Sequence, residues 1–408
     1  MLRRRLIRVA IGIAAPGLFF PTHSVAALIN VPAGTSVQAA IDVARAGDTV
    51  ALCPGLYVEN VYMRPSVALL GPGPDKTTIS ALRFGPVVVA SQGTRIAGLT
   101  IADGETGLYV SYDQGPNVEN CAFAGNGTGL VLNTCQDAKI RRCTFTGNWR
   151  GVSVDASDGE IDQCDLHGNF FGLGSFTGAA PRITRCWIAS NVVGLDTFDS
   201  DPLVTNSTFR GNGTALRSAA HSNPRLLNCT LWLNTYTLRT WDEHPTAITL
   251  SNSIIWDSGG PSVDLHFGPL GSVAISYSNV EGGWPGEGNI DQDPQFRDPF
   301  SLDFRLQPTS PCIDAGDNNA TGLPEMDIAG VRRIMFGGKS FTVDMGAYEF
   351  YINKLEPVPG TNEAIFTWSS LEDRTYSVFY TDDLFTWHTA IAAFPSSGNQ
   401  TTSWLDDG

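Results

Sequence analysis

Apolar and polar positions recur along the middle of the chain with a spacing of 21 to 25 residues, and not with the periodicity of a helix. One small or apolar residue marks the register of each repeat, with an aliphatic residue three positions before it and an apolar residue two positions after it. A fixed period of this length indicates stacked structural units. The register position is occupied by Leu99, Cys121, Cys143, Cys164, Cys186, Ser207, Cys229, Ser253 and Ser278.

An asparagine follows the register position by five residues, and a Gly-Leu or related pair comes soon after it. Short β-type runs separated by Asn and Gly predict coils built of strands and corners. Stacked coils place equivalent residues about 4.8 Å apart, so side-chain amides can bond along the stack and satisfy backbone groups at a buried corner. The asparagines are Asn126, Asn148, Asn169, Asn191, Asn212 and Asn234.

Leucine-rich repeats have a similar period and a loosely similar frame, but there the Asn leads into an apolar residue and a helical segment. Here Gly-Leu follows, and the remainder of each coil is β-prone and Gly-rich. The pattern therefore favours stacked β coils over leucine-rich repeats.

Segments such as VENCAFAGNGTGLVL and ITRCWIASNVVGLDT resemble the right-handed β-helix family with the pectin-lyase-like fold. The resemblance implies an all-β, single-stranded right-handed parallel β-helix. Residues 35–57 resemble the opening that many members share. Thr35 and Gln38 form a candidate capping box, and Gly47 is placed to end a short helix that would cover the first coil.

The ends of the chain differ from the repeats. Residues 1–26 have an arginine-rich start, an apolar stretch and a small-residue site, which predicts a signal peptide. Residues 27–288 are assigned to the β-helix with its N-terminal cap. Residues 289–352 resemble the β-helix closing region of large bacterial surface proteins. Residues 356–408 alternate in polarity and resemble a partial β-sandwich-like module.

The chain is acidic, with a formal net charge of −15, and the predicted signal peptide removes four arginines and no acidic residue. This charge argues against nucleic acid as a partner. No segment after the signal peptide is apolar enough to span a bilayer, so we expect a secreted or cell-surface protein. We also expect a monomer.

Five of the eight cysteines occupy the register position, where serine takes their place in other coils. This interchange predicts a small buried residue and not a disulfide. Cys53, Cys135 and Cys312 have no partner that the sequence identifies.

Aspartates in the closing region are candidate ligands for Ca²⁺, which prefers carboxylate and carbonyl oxygens. The three favoured candidates are Asp314, Asp317 and Asp327. Asp beside Gly, Pro and Asn also builds turns, and we favour that interpretation. No other cofactor is predicted.

The polygalacturonase-like relatives carry N-T-D, G-D-D or D-D, G-H-G and R-I-K motifs. N-T-D, G-D-D, G-H-G and R-I-K do not occur here, and the Asp-Asp pairs at residues 382–383 and 406–407 lie outside the repeats, which disfavours a hydrolase. The remaining candidates for chemistry lie in the strand that begins at the Gly-Leu pair after each asparagine. Candidate catalytic residues are Asp196, Arg217, His221, Arg239 and Asp242; candidate substrate-binding residues are Phe176, Phe198, Trp241 and Glu243. Aromatic rings beside charged groups suit a sugar-binding face.

Two functions remain open from the residues. The first is a non-catalytic secreted or surface protein that binds polysaccharide or has a structural, adhesive role. The second is a carbohydrate-active enzyme, a polysaccharide lyase or epimerase acting on uronates. The fold alone does not distinguish them.

Overall fold

The computed structural model describes residues 26–81, 85–111, 115–240, 244–256, 263–264 and 270–351, followed by five strands that end at residue 406. Nearly all of the predicted signal peptide lies outside these residues, as do Trp241, Asp242 and Glu243. None of the helices in the described part is long and apolar enough to cross a membrane.

The described residues between positions 28 and 280 wind into a right-handed parallel β-solenoid of about ten turns, which confirms the predicted fold class. Each complete coil contributes one strand to each of three parallel sheets.

Sheet A contains β1 (Leu28–Val31), β2 (Thr49–Leu52), β5 (Ala68–Leu70), β8 (Arg95–Ala97), β11 (Asn117–Glu119), β14 (Gln136–Arg141), β17 (Asp158–Asp162), β20 (Arg182–Thr184), β23 (Leu203–Thr205), β26 (Arg225–Leu227), β29 (Thr246–Ser251) and β32 (Gly271–Ser276). Sheet B contains β3 (Gly55–Val58), β6 (Thr77–Ser80), β9 (Thr100–Ala102), β12 (Ala122–Ala124), β15 (Thr144–Thr146), β18 (Asp165–His167), β21 (Trp187–Ala189), β24 (Thr208–Arg210), β27 (Thr230–Trp232), β30 (Ile254–Trp256) and β33 (Asn279–Val280). Sheet C contains β4 (Val61–Tyr62), β7 (Pro86–Val89), β10 (Thr106–Ser111), β13 (Thr128–Asn133), β16 (Arg150–Asp155), β19 (Phe171–Phe176), β22 (Val193–Phe198), β25 (Thr214–Ala219), β28 (Tyr236–Thr240) and β31 (Val263–Asp264).

The core is made of the repeating apolar columns. Phe123 lies in register with Phe145, and their rings stack with centroids 4.7 Å apart. Leu108 and Leu130 begin a column that continues along sheet C to Leu238. These side chains are fully buried. The predicted register is therefore confirmed, because residues one period apart are direct neighbours.

The asparagine column forms the corner between sheets B and C and is almost completely buried. The Asn148 amide nitrogen Nδ2 donates to Asn169 Oδ1 at 3.0 Å and to the Phe123 carbonyl at 3.0 Å. The backbone N–H of Asn148 donates to the same Asn169 oxygen. This arrangement recurs from Asn126 to Asn234, so the predicted bonding along the stack is confirmed.

The glycine after the corner is needed because two coils approach closely. A Cβ on Gly129 would lie 2.6 Å from the Gly151 carbonyl oxygen of the next coil. Side chains at this column would therefore separate the coils at the point where the asparagine bonds require them to be close.

The five register cysteines are free, buried thiols, as predicted. Burial raises the pKa of Cys229 to about 12. Each of the five thiols lies within hydrogen-bonding distance of a carbonyl of the preceding coil, for example Cys229 Sγ at 3.7 Å from the Val204 oxygen. Each thiol also lies within hydrogen-bonding distance of the carbonyl two residues before it. The hydroxyls of Ser207, Ser253 and Ser278 donate to the equivalent carbonyl, which explains why serine can replace cysteine.

Helix α1 (Val37–Val43) covers the first coil through Val37, Ala40 and Ile41, as the sequence predicts. The predicted capping box is wrong by one residue. Ser36 is the N-cap and accepts the Ala39 N–H. The Gln38 side chain bonds the backbone of the first coil instead of the cap.

The Glu59 carboxylate, which follows β3, accepts the Val37 and Gln38 N–H groups. A residue from the adjoining coil thus supplies what the capping box was expected to supply. The helix ends at Val43, four residues before Gly47.

The chain after the last coil packs back along the solenoid. Trp284 packs against the end of the main core. Strands β34 (Phe296–Asp298) and β35 (Asp303–Leu306), joined by the 3₁₀ turn Pro299–Ser301, then lie over the outer face of sheet B. Phe304 packs there against Trp232, with ring centroids 5.6 Å apart. We call residues 292–350 the flanking segment.

A second asparagine column fastens the flanking segment. Asn206, Asn228 and Asn252 directly precede the register position and have left-handed backbone conformations. Their side-chain amides donate to the carbonyls of Met326, Asp344 and Asp317, respectively. Because these carbonyls lie in irregular chain, the amides take the place of strand pairing.

Arg333 is the buried centre of this contact. It donates to Glu349 Oε2 at 3.2 Å, to Asn206 Oδ1 at 2.6 Å and to two carbonyls of the flanking segment. Burial raises the pKa of Glu349, while the Arg333 charge opposes that rise. The Arg333 guanidinium therefore offsets part of the cost of burying this carboxyl group.

The remaining described strands are antiparallel. Strands β36 (Asn353–Pro357), β37 (Ala364–Ser369) and β40 (Thr401–Asp406) form one sheet, and β38 (Thr375–Tyr380) pairs with β39 (His388–Pro395). These two small sheets are the part of the chain for which a sandwich-like module is predicted.

Replacing Asn169 by Ala should lower the free energy of unfolding by about 3 kcal/mol, because the Asn148 N–H and the Phe145 carbonyl lose buried partners. Denaturant unfolding followed by circular dichroism measures the change. Asn117→Ala, at an exposed position on sheet A, is the matched control and should change stability by less than about 0.5 kcal/mol. Equal effects of the two variants would contradict the role of the asparagine column.

Replacing Arg333 by Ala should lower the free energy of unfolding by about 3–5 kcal/mol, because Glu349 is left buried without its partner. Limited proteolysis of the flanking segment and denaturant unfolding both report the loss. The neighbouring Arg332 is exposed, so Arg332→Ala should leave both measurements near those of the parent protein. If the two variants behave alike, Arg333 does not hold the segment.

Candidate functional site

The outer face of sheet C brings the predicted site residues of successive coils together. Asp196, Arg217 and Arg239 are in register on β22, β25 and β28. Phe176 and Phe198 are neighbours on β19 and β22. The parallel register makes each predicted column a row of adjacent side chains that runs along the solenoid axis.

Asp196 and Arg217 form a bidentate ion pair. Arg217 Nε lies 2.7 Å from Asp196 Oδ1, and Nη2 lies 2.9 Å from Oδ2. The Asp196 side chain is 11% exposed, and that of Arg217 is 26% exposed. Both carboxylate oxygens accept bonds from one guanidinium, so the pair is a fixed, polar part of the surface.

Arg150 was not predicted from the sequence, yet it lies at the middle of this face. Its guanidinium carbon is 5.0 Å from the Phe171 ring centre and 4.7 Å from that of Phe176. Burial lowers the pKa of Arg150, and the Asp196 and Asp155 carboxylates oppose that decrease. The guanidinium therefore lies beside two aromatic rings and within the electrostatic influence of two carboxylates.

Gly174 makes room for this arrangement. A Cβ at Gly174 would lie 2.5 Å from atoms of the Phe176 ring and 3.0 Å from Arg150 Nε. Because Gly174 has no side chain, the Phe176 ring and the Arg150 guanidinium can lie across β19. No period in the sequence marks this glycine.

Exposed aromatic side chains border the face on both sides. Trp149 and Phe170 stack with ring centroids 4.1 Å apart at the corner that follows the asparagine column, and they are 59% and 38% exposed. Phe198 is 52% exposed at the opposite edge. The sequence signal for this stacked pair is that the residue after the asparagine of the column is aromatic in two successive coils.

The other predicted residues are placed as follows. The Arg239 guanidinium carbon lies 4.3 Å from the Tyr236 ring centre. His221 is exposed at the next corner, where its ring is 5.1 Å from that of His244. Asp242, Trp241 and Glu243 lie outside the described residues.

Sheet A carries a different surface, a lattice of ion pairs between adjacent coils. Arg185 bonds both oxygens of Asp162 at 2.8 and 2.6 Å, and Arg141 bonds both oxygens of Glu160. Arg142 and Arg95 pair with Glu119. These contacts join neighbouring strands and add to the cohesion of the stack.

Comparison with known proteins agrees with this architecture. The family model described as the right handed beta helix region matches residues 73–154 and 128–283, which together exceed half of the chain. The chain belongs to the right-handed β-helix family. No curated protein is significantly similar to this β-helix protein in sequence.

Solved structures with the same fold include pectate lyase Pel9A, which is 15% identical with a TM-score of 0.55 over 80% of this chain and 97% of that chain. A tailspike protein from an Acinetobacter baumannii bacteriophage, a capsular polysaccharide depolymerase, is 8% identical with a TM-score of 0.48 over 93% and 79%. The A-module of the Azotobacter vinelandii mannuronan C-5 epimerase AlgE4 is 16% identical with a TM-score of 0.42 over 63% and 95%. The similarity to pectate lyase Pel9A concerns the fold alone.

The candidate metal ligands of the β-helix protein are engaged with backbone amides. Asp314 accepts the N–H groups of Gly337, Lys339 and Ser340, and Asp327 accepts those of Ala329, Val331 and Glu349. Asp317 accepts the Asn319 N–H. No group of three or more His, Cys, Asp or Glu residues in the described part of the chain is arranged to hold a metal ion. Calcium binding stays a prediction.

Replacing Asp196 by Ala should lower the free energy of unfolding of the β-helix protein by about 2 kcal/mol, because Arg217 keeps its largely buried position without a carboxylate. Thermal and denaturant unfolding measure the loss. The pair of Asp303 and Arg305 has similar geometry but a more exposed arginine. Asp303→Ala should therefore cost only about 0.5 kcal/mol. A larger loss in Asp303→Ala than in Asp196→Ala would contradict this account.

Proposed function

We propose that this protein is an exported polysaccharide-binding protein and that the outer face of sheet C is its binding surface. The observation that carries the proposal is the set of exposed aromatic rings, Trp149, Phe170 and Phe198, around the Arg150 and Arg217 guanidinium groups. Aromatic faces cover the apolar faces of sugars, and charged groups bond sugar hydroxyls.

The spacing of the solenoid suits an extended polymer. Adjacent strands are about 4.8 Å apart, so a ligand that follows the solenoid axis meets side chains of a new coil at each such step. This repeat is comparable with the length of one sugar unit. A polysaccharide aligned with the axis would meet a ring or a guanidinium on each of β16, β19, β22 and β25.

The hydrogen bonds of the Asp196 carboxylate favour binding over catalysis. A general base needs a carboxylate that can reach substrate, whereas both oxygens of Asp196 are bonded to Arg217. The alternative is a lyase or epimerase acting on uronates with Arg217, Arg239, His221 and Asp242 among its catalytic residues. Formation of product would favour that alternative.

Export and a secreted or cell-surface location form part of the proposal. Their support is the layout of residues 1–26 together with the acidic composition of the chain. A location outside the cell would place the aromatic face where polysaccharides occur. We propose a monomer whose candidate Ca²⁺ ligands are Asp314, Asp317 and Asp327 of the flanking segment.

The proposal is tested by gel retardation of the purified protein in neutral and uronate polysaccharides, with and without Ca²⁺. We expect retardation without unsaturated product. Trp149→Ala combined with Phe170→Ala, and Phe198→Ala separately, should each weaken retardation up to about tenfold, because each removes ring contacts worth about 1 kcal/mol.

Tyr62→Ala is the matched control. Tyr62 is 57% exposed on the first strand of sheet C, several coils away from the proposed surface. Retardation should be unchanged in this variant. Absence of retardation with every polysaccharide, or equal retardation of all variants, would exclude the sheet C surface. Unsaturated product measured by ultraviolet absorbance would establish a lyase.

A further inference from the structure

A groove on sheet B forms where the flanking segment stops covering the solenoid. It has a volume of about 530 Å³ and is lined by Asp165, His167, Trp187, Ala189, Ser190, Arg210 and Leu302. Leu302 belongs to the turn between β34 and β35, Ser190 directly follows β21, and the other residues project from β18, β21 and β24. Two parts of the chain more than 90 residues apart thus make one concave site.

The floor of the groove is rigid and apolar. Trp187 packs against Phe304, with ring centroids 6.0 Å apart, and belongs to the edge of the core beneath the flanking segment. Ala189 lies in register between His167 and Arg210. The short alanine side chain leaves a gap two strand spacings wide, about 10 Å, between the two longer side chains.

Polar groups stand on both sides of this gap. His167 Nδ1 is 2.9 Å from Asp165 Oδ1, and both side chains are nearly half exposed. The Arg210 guanidinium carbon lies 5.5 Å from the Trp232 ring centre, and its buried Nε has no hydrogen-bond partner. Acceptors therefore face donors across an apolar floor.

These features identify the kind of ligand. The Asp165 carboxylate and the Arg210 guanidinium offset each other in charge, so the site does not select a strongly charged group. A tryptophan face with hydroxyl acceptors on one side and donors on the other matches a ring that has one apolar face and equatorial hydroxyls. A pyranose has this shape.

We propose that the groove between sheet B and the flanking segment binds a single uncharged pyranose unit. The site lies on a different sheet from the polysaccharide-binding surface proposed above and does not depend on it. Its ligand is a neutral sugar that stacks on Trp187 and bonds Asp165, His167 and Arg210. The flanking segment then has a binding role in addition to its packing role.

The test uses the full-length protein and a series of methyl glycosides of glucose, galactose and mannose, with galacturonic acid as the charged comparison. Saturation-transfer NMR detects the bound sugar, and titration measures its affinity. We expect millimolar binding of at least one neutral glycoside and at least tenfold weaker binding of galacturonic acid.

Variants assign the signal to the groove. Ala189→Leu fills the gap and should weaken binding at least tenfold. Asp165→Asn should weaken binding by about threefold. Ala124→Leu is the matched control, since Ala124 occupies the same column of sheet B three strands away with comparable exposure. It should bind the sugar as the parent protein does.

Phe198→Ala removes a ring of the surface proposed on sheet C. It should leave unchanged the part of the glycoside binding that Ala189→Leu removes, which separates the two proposals. The proposal is overturned if none of the neutral glycosides binds, if Ala189→Leu binds as tightly as Ala124→Leu, or if binding is lost in Phe198→Ala. The last outcome would place the sugar on sheet C instead.

Discussion

Parallel stacking in register is the constraint on which the rest of this structure depends. Each coil must lie at one strand spacing from the next, and the buried corner between sheets B and C must still satisfy its backbone groups. The asparagine column meets both needs, because one amide bonds the carbonyl of the preceding coil and the amide of the next asparagine. The neighbouring glycine column follows from the same close approach, since a side chain there would meet a carbonyl of the next coil.

The same register creates the functional surfaces. A residue type placed once per coil becomes a continuous row, so Arg150, Phe171, Asp196 and Arg217 form one face although they are spread over 68 positions of sequence. Long side chains then interact across strands, and Gly174 lets the Phe176 ring and Arg150 share one space. The scaffold fixes these groups without using a loop, which favours a pre-organised surface for an extended ligand.

The flanking segment adds what a repeat cannot supply. It covers aromatic side chains of sheet B that would otherwise be exposed, and Leu302 in its β34–β35 turn lines the groove beside Trp187. Its attachment relies on the Asn206, Asn228 and Asn252 amides and on one buried arginine, Arg333. Stability of the solenoid and formation of the groove are therefore linked through the same contacts.

The sequence by itself determined the coils, the buried cysteine position, the asparagine bonds and the rows of Asp196 and Phe176, because equal spacing in a stacked fold means direct contact. The tertiary structure alone decided the rest. Glu59 caps α1 from another coil, Arg150 crosses to Phe176, and Leu302 lines one groove with Trp187 although they are more than 100 residues apart in the chain. These contacts depend on side-chain direction and on the path of irregular chain, neither of which leaves a period in the sequence.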